Sequence, residues 1–152
     1  MIVSQLMTTD VATCTPKSDL EHAIFVMLER DCGFVPVVSE VGRLVGAITD
    51  RDVCIAIAAH RRTPAHIHIE EAMTHPAIAC RPEDTLITAL GTMSRHRVHR
   101  LPVVDRDGYV QGVISMNDIL RAPHHDHAPT SEDIVDTLRA IGRHRDMEPV
   151  VV

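Results

Sequence analysis

The chain has 152 residues, 45% of them hydrophobic but only 2% aromatic, with no Trp and a formal net charge of −6. That is enough apolar material for one ordinary domain, or for two small halves sharing a core of Val, Ile, Leu, Ala and Met. The acidic balance and scarcity of stacking platforms argue against nucleic acid as the main partner, and no run of about 18 apolar residues offers a membrane span. The N-terminus lacks the basic-then-apolar order of a signal peptide, so a cytoplasmic location is expected.

In chain order, an extended piece is expected over residues 11–15, where Pro16 disfavours helix in the residue before it. Leu20, Ala23, Ile24, Met27 and Leu28 then follow the spacing of a helix with one buried stripe, with Ser18 or Asp19 to cap it. Residues 34–38 and 44–49 read as a hairpin around Gly42. A second helix begins near Asp50 or Arg51, and its nearly continuous apolar run through residue 59 predicts burial on most sides.

After a connector over residues 61–69 the same order returns. Residues 6–56 align on 72–122 without a gap, every position 66 from its twin, as Met73 is from Met7 and Pro102 from Pro36. The second copy has an extended piece at 77–81, a helix carrying Leu86, Ala89, Leu90 and Met93, a hairpin of 100–104 and 110–115 around Gly108, and a shorter second helix ahead of Pro123. One copy is a supersecondary unit that cannot bury its apolar face alone, so the function belongs to the pair. In the tail, Thr130-Ser131-Glu132-Asp133 resembles a capping box opening a helix to about residue 143, with Ile134, Leu138 and Ile141 on one stripe.

The chemistry concentrates at the two strand-to-helix junctions, Thr49-x-x-Asp52 and Ser115-x-x-Asp118. Amides at a helix start can hold a phosphate, and a carboxylate three residues beyond the hydroxyl can accept hydrogen bonds from a ribose diol. The same spacing also satisfies a capping box, which needs no ligand. Cys14, Cys32, Cys54 and Cys80 show no CxxC spacing and read as free thiols, Cys14 and Cys80 as twin packing residues. His124, His125 and His127 lie within four residues, with His60, His66 and His68 as a looser group, and are candidate ligands for a labile metal. No nucleophile elbow, phosphate loop or zinc-protease motif is present, so the chain is expected not to be an enzyme and to require no cofactor.

The strand-helix-hairpin-helix order, with Val35-Pro36-Val37-Val38 and Leu101-Pro102-Val103-Val104 in the first hairpin strands and Gly46 to Asp52 or Gly112 to Asp118 at the junctions, resembles the CBS domain. Two in tandem look like a Bateman module. The resemblance implies an α/β (α+β) fold of two units about a pseudo-two-fold axis, residues 1–60 and 70–123, followed by a tail of 124–152 with one helix. It implies an adenosyl regulatory ligand, AMP, ADP, ATP or S-adenosylmethionine, held in two shared clefts. By that resemblance the first cleft joins Thr49, Arg51 and Asp52 to Ala77, Ile78, Val98, His99 and Arg100. The second joins Ser115, Asn117 and Asp118 to Val11, Ala12, Cys32 and Gly33.

The first cleft is expected to be the richer, with His99, Arg100 and Arg51 supplying phosphate-binding charge; the second has Cys32-Gly33-Phe34 at the matching positions. The protein is expected to signal by changed shape or assembly and to form a homodimer, with residues 53–59 or the Ile134/Leu138/Ile141 stripe as contact faces. The rival readings are a ligand-free interaction module acting through its C-terminal helix, and a metal or redox sensor using the histidine cluster and Cys32.

Overall fold

The computed structural model describes residues 1–122 and 128–143. Two three-residue 3-10 turns, Val3–Gln5 and its twin Ile69–Glu71, open the repeats. Repeat 1 continues with α1 (Leu20–Glu29), β1 (Phe34–Val38), β2 (Leu44–Thr49) and α2 (Asp50–His60). Repeat 2 continues with α3 (Leu86–His96), β3 (Arg100–Val104), β4 (Val110–Ser115) and α4 (Met116–Leu120), and α5 (Ser131–Ile141) follows. α4 has five residues against eleven in α2, as the nearby proline predicts.

Each hairpin is antiparallel, β1 on β2 and β3 on β4, with the same register irregularity before the last pair. The pieces expected as strands at 11–15 and 77–81 are single parallel bridges instead, Cys14 to Val37 and Cys80 to Val103. Proline explains their brevity. Cys14 N donates to Pro36 O and Val38 N to Cys14 O, so the next rung would be donated by the nitrogen of residue 36, which in proline has no hydrogen. Pro102 ends the second ladder in the same way.

The two cores are completed by exchange. The core of repeat 1 contains Leu20, Ala23, Val35, Val37, Ile48 and Val53 together with Ile67 and Ile69 from the turns that lead into repeat 2. The core of repeat 2 contains Leu86, Leu90, Met93, Leu101, Ile114 and Ile119 together with Val3 from the start of the chain. Ile67 and Ile69, in the expected connector, are fully buried. Backbone bonds reproduce the exchange on both sides: Val3 N donates to Asp84 O and Ile69 N to Ser18 O.

The crossing segments then run over the hairpins. Thr8 pairs with Val113 and Thr74 with Ala47, each through two backbone hydrogen bonds of 2.9 to 3.0 Å. Glycine makes the approach possible. A Cβ at Gly112 would lie 2.6 Å from Thr8 O, and one at Gly46 would lie 2.7 Å from Met73 Sδ and 3.0 Å from Thr74 O. The duplicated Met-Thr and Gly positions are thus two sides of one contact. Arg43 and Tyr109, themselves twins, bridge each other, which places them on the pseudo-two-fold axis.

Two expectations about helices are corrected. α2 buries only Val53 and Ala56, while Ile55 is 54% exposed and Cys54, Ala58 and Ala59 are also exposed. Its apolar run is therefore largely uncovered by the rest of the described residues. The stripe on α5 packs against α3, with Ile141 buried in the second core and Ile134 packed on it, so two of its three residues are used within the chain.

The Cys14 and Cys80 thiols are buried, which pushes them up to about 11 and about 12; the neighbouring Cys32 adds to the first and Asp84 to the second. Ellman's reagent at pH 8 should therefore titrate two thiols in the native protein, Cys54 and Cys32, and all four only after unfolding. Gly112→Val and Gly46→Val should each lower the unfolding free energy by about 1–3 kcal/mol, measured by urea titration. Gly112→Val should cost the more, because the backbone carbonyl lies closer there, 2.6 Å against 3.0 Å at Gly46, where the nearest atom is a flexible thioether.

Candidate functional site

Both junctions form complete capping boxes. At Thr49 the Asp52 amide donates to Thr49 Oγ1 (3.1 Å), while the Thr49 amide and hydroxyl donate to Asp52 Oδ2 at 2.9 and 2.7 Å. At Ser115 the corresponding distances to Asp118 are 3.2, 2.8 and 2.6 Å. The Thr130/Asp133 box repeats the Ser115 distances at the start of α5. There the Thr130 hydroxyl, and next its amide, hold the Asp133 carboxyl below the ordinary carboxylate range. Hydroxyl and acid are therefore bound to each other, and the box alone does not distinguish a cleft from a plain helix start. In all three, Oδ2 carries the capping bonds and Oδ1 is left over, so a diol would meet an oxygen already aimed by the cap.

What separates Ser115 from Thr130 is the space beside it. A cavity of about 450 Å³ is lined on one side by Val113, Ser115, Asn117, Asp118 and Arg121 of repeat 2, and on the other by Thr8, Asp10, Val11, Ala12, Val26, Arg30, Asp31, Cys32 and Phe34 of repeat 1, with Arg100 at the seam. This volume is within the range that holds small ligands. It brings together Ser115, Asn117 and Asp118 with Val11, Ala12 and Cys32. Among the described residues the Ala12 amide donates no hydrogen bond and its carbonyl accepts none, the latter because the Pro36 nitrogen has no hydrogen to give it. Both can read the edge of a planar base.

Gly33 lines an adjoining, more open hollow of about 440 Å³ with Met27, Leu28, Asp31, Cys32, Asp50 and Arg100. A Cβ there would lie 2.5 Å from Asp50 Oδ2, so a larger residue would have to turn that carboxylate aside.

Arg100 is a correction. Expected in the first cleft, it lines the second, because the antiparallel register pairs it with Ser115 of its own hairpin. The second cleft, expected to lack the cationic pair, is walled by Arg30, Arg100 and Arg121. Of the residues assigned to the first cleft, Thr49, Arg51, Asp52, Ala77, Ile78, Val98 and His99 line neither cavity. Ile78 and Val98 pack on the second core, Arg51 and His99 are exposed, and the His99 carbonyl accepts the Met116 amide at 2.9 Å.

Sequence reasoning missed Asp10, Arg30, Asp31 and Arg121. A signal for Arg121 was available, since it lies three residues after Asp118 and four after Asn117, on the same helical face. Arg30 pairs with Asp10 at 2.8 Å, tying the segment before Val11 to the end of α1. Among the described residues no three His, Cys, Asp or Glu side chains converge as metal ligands, and His124, His125 and His127 lie outside them.

The sequence profile of the CBS domain matches residues 3–59 and 69–125, and the chain belongs to the CBS-domain family. It is 33% identical over 117 residues to the CBS domain-containing protein YhcV of Bacillus subtilis, covering 77% of this chain and 81% of that one. Its fold is similar to the CBS domain pair of protein MJ0100 in complex with 5′-methylthioadenosine and S-adenosyl-L-methionine (TM-score 0.73, 26% identity, 80% and 94% of the chains). It is also similar to Hypoxic Response Protein I with two coordinated zinc ions (TM-score 0.74, 25% identity, 82% and 100%). No described helix is long and apolar enough to cross a membrane.

Thr49→Ala and Ser115→Ala each remove a cap hydroxyl and should lower the unfolding free energy by about 1 kcal/mol, seen as a lower urea midpoint with an unchanged m-value.

Proposed function

We propose that this protein is a regulatory CBS pair that binds an adenosyl compound, AMP, ADP, ATP or S-adenosylmethionine, in the second cleft and signals through changed shape or assembly. The observation that carries the reading is the cavity between the repeats, where the capped Asp118 stands opposite the unpaired backbone of Ala12. Asp118 Oδ1 accepts from the ribose diol, and the base slides between Val11, Ala12 and Cys32 on one side and Val113 on the other. The adenosyl ligands of the MJ0100 pair support this class of ligand.

The signal follows from who owns the walls. Thr8 and Val113 line the cavity and are also the residues through which repeat 1 crosses onto repeat 2. A ligand that touches both stiffens that crossing and fixes the angle between the halves. The α2 face that carries the exposed Ile55 is the one on which a second copy would dock, giving a homodimer. The zinc ions of the Hypoxic Response Protein I structure are the specific ground for a second reading, metal sensing, in which the histidines after Pro123 would serve.

Thermal unfolding of the full chain with each adenosyl compound, and separately with zinc, tests these readings. A true ligand at a hundredfold excess over its Kd should stabilise by about 2.7 kcal/mol. Asp118→Ala should abolish that shift, while Asp133→Ala, which breaks the same box away from the cavity, should leave it intact. Stabilisation by zinc with none by any adenosyl compound would transfer the assignment to metal sensing.

A further inference from the structure

The duplication lets the outward faces of the two repeats be compared residue by residue. α1 and α2 pack together over the first core, and the end of α1 meets the start of α2, where Leu28 and Asp50 line one hollow. Their outward sides carry large apolar residues: Phe25 is 55% exposed on α1 and Ile55 54% exposed on α2. The twins of these two residues are Gly91 and Arg121. Both positions are exposed in repeat 2 as in repeat 1, so packing within the chain does not call for Phe25 or Ile55.

Charge divides the two faces in the same way. Glu29 lies one helical turn after Phe25 and Arg51 one turn before Ile55, each on the same side of its helix as the apolar residue. Both are exposed, and among the described residues neither side chain makes a hydrogen bond or ion pair. α1 and α2 thus offer opposite charges next to apolar residues, a surface complementary to a second copy of itself. The twins of Glu29 and Arg51 are Arg95 and Asn117, which offer no such pair. Repeat 2 does expose Ile87 and Leu120, but its α3 already carries α5 of the same chain.

We infer that two copies join repeat 1 to repeat 1 about a two-fold axis, with α1 of each copy lying on α2 of the other, so that Phe25 meets Ile55 and Glu29 meets Arg51. The inference rests on the homodimer reading and deepens it by assigning the face and the orientation. A head-to-tail pair, repeat 1 on repeat 2, would set Arg51 against Arg95 and Phe25 against Arg121: like charges would meet, and the aromatic ring would gain no apolar partner. An interface of one face with itself is closed, which stops assembly at the dimer. α1 also supplies Val26 and Arg30 to the cavity wall, so docking holds a helix that borders that volume.

Sedimentation equilibrium of the full chain tests the assignment. The wild type should be a dimer whose affinity falls as salt is raised. Phe25→Ala and Ile55→Arg, the second of which installs the twin's residue, should each raise the dimer dissociation constant by roughly tenfold or more. Ile87→Glu, which places the repeat 1 residue on the outward side of repeat 2, should leave it unchanged. Arg51→Glu should weaken the dimer and the added Glu29→Arg should restore it, a recovery that a folding defect would not give. A chain that stays monomeric at every concentration sinks the homodimer reading and this orientation with it. A dimer that Ile87→Glu disrupts while Ile55→Arg does not, or one indifferent to all these changes, keeps the homodimer and overturns the repeat 1 face. Failure of Glu29→Arg to rescue Arg51→Glu overturns the placement of α1 on α2.

Discussion

Two backbone crossings hold this molecule together, Thr8 on Val113 and Thr74 on Ala47, and both depend on a glycine that lets one repeat lie against the hairpin of the other. The crossings deliver Val3 to the second core and Ile69 to the first, so neither core is complete within its own repeat. They also set the spacing of the cleft walls. Because Thr8 belongs at once to a crossing and to the cavity, the contact that keeps the repeats together is also part of the cavity wall.

Capping would not compete with a binding role for Asp118. The cap consumes one carboxylate oxygen and fixes the direction of the other, which is the kind of orientation a binding group needs before a ligand arrives. The Thr130/Asp133 box, with the same distances and no assigned role beyond starting α5, shows how little the motif says by itself. Meaning comes from the empty volume beside it and from the unsatisfied backbone across that volume.

Much of this was legible in the sequence because the repeat is gapless: a strand, helix or turn read in one copy could be checked against the other, and the two hydroxyl-acid corners stood out as twins. Side-chain placement at the seam was not. Whether Arg100 faces its own corner or the opposite one depends on hairpin register, which adjacent residues do not reveal. The exposure of Ile55 was hidden for a related reason, since an apolar helix reads the same whether its cover comes from this chain or from elsewhere. Ile67 and Ile69 passed as connector because a three-residue turn has too few positions to show a period, although both are fully buried.

The reciprocal insertion of Val3 and Ile69 bears on how such a molecule could arise. A single unduplicated copy would hold an N-terminal arm for which its own body has no room, and a vacancy that its own arm cannot fill. Two such molecules would satisfy each other by trading arms, so gene fusion would only have tethered what was already a swapped pair. Once joined, the halves are released from identity, and one groove carries arginine where the other carries phenylalanine and isoleucine.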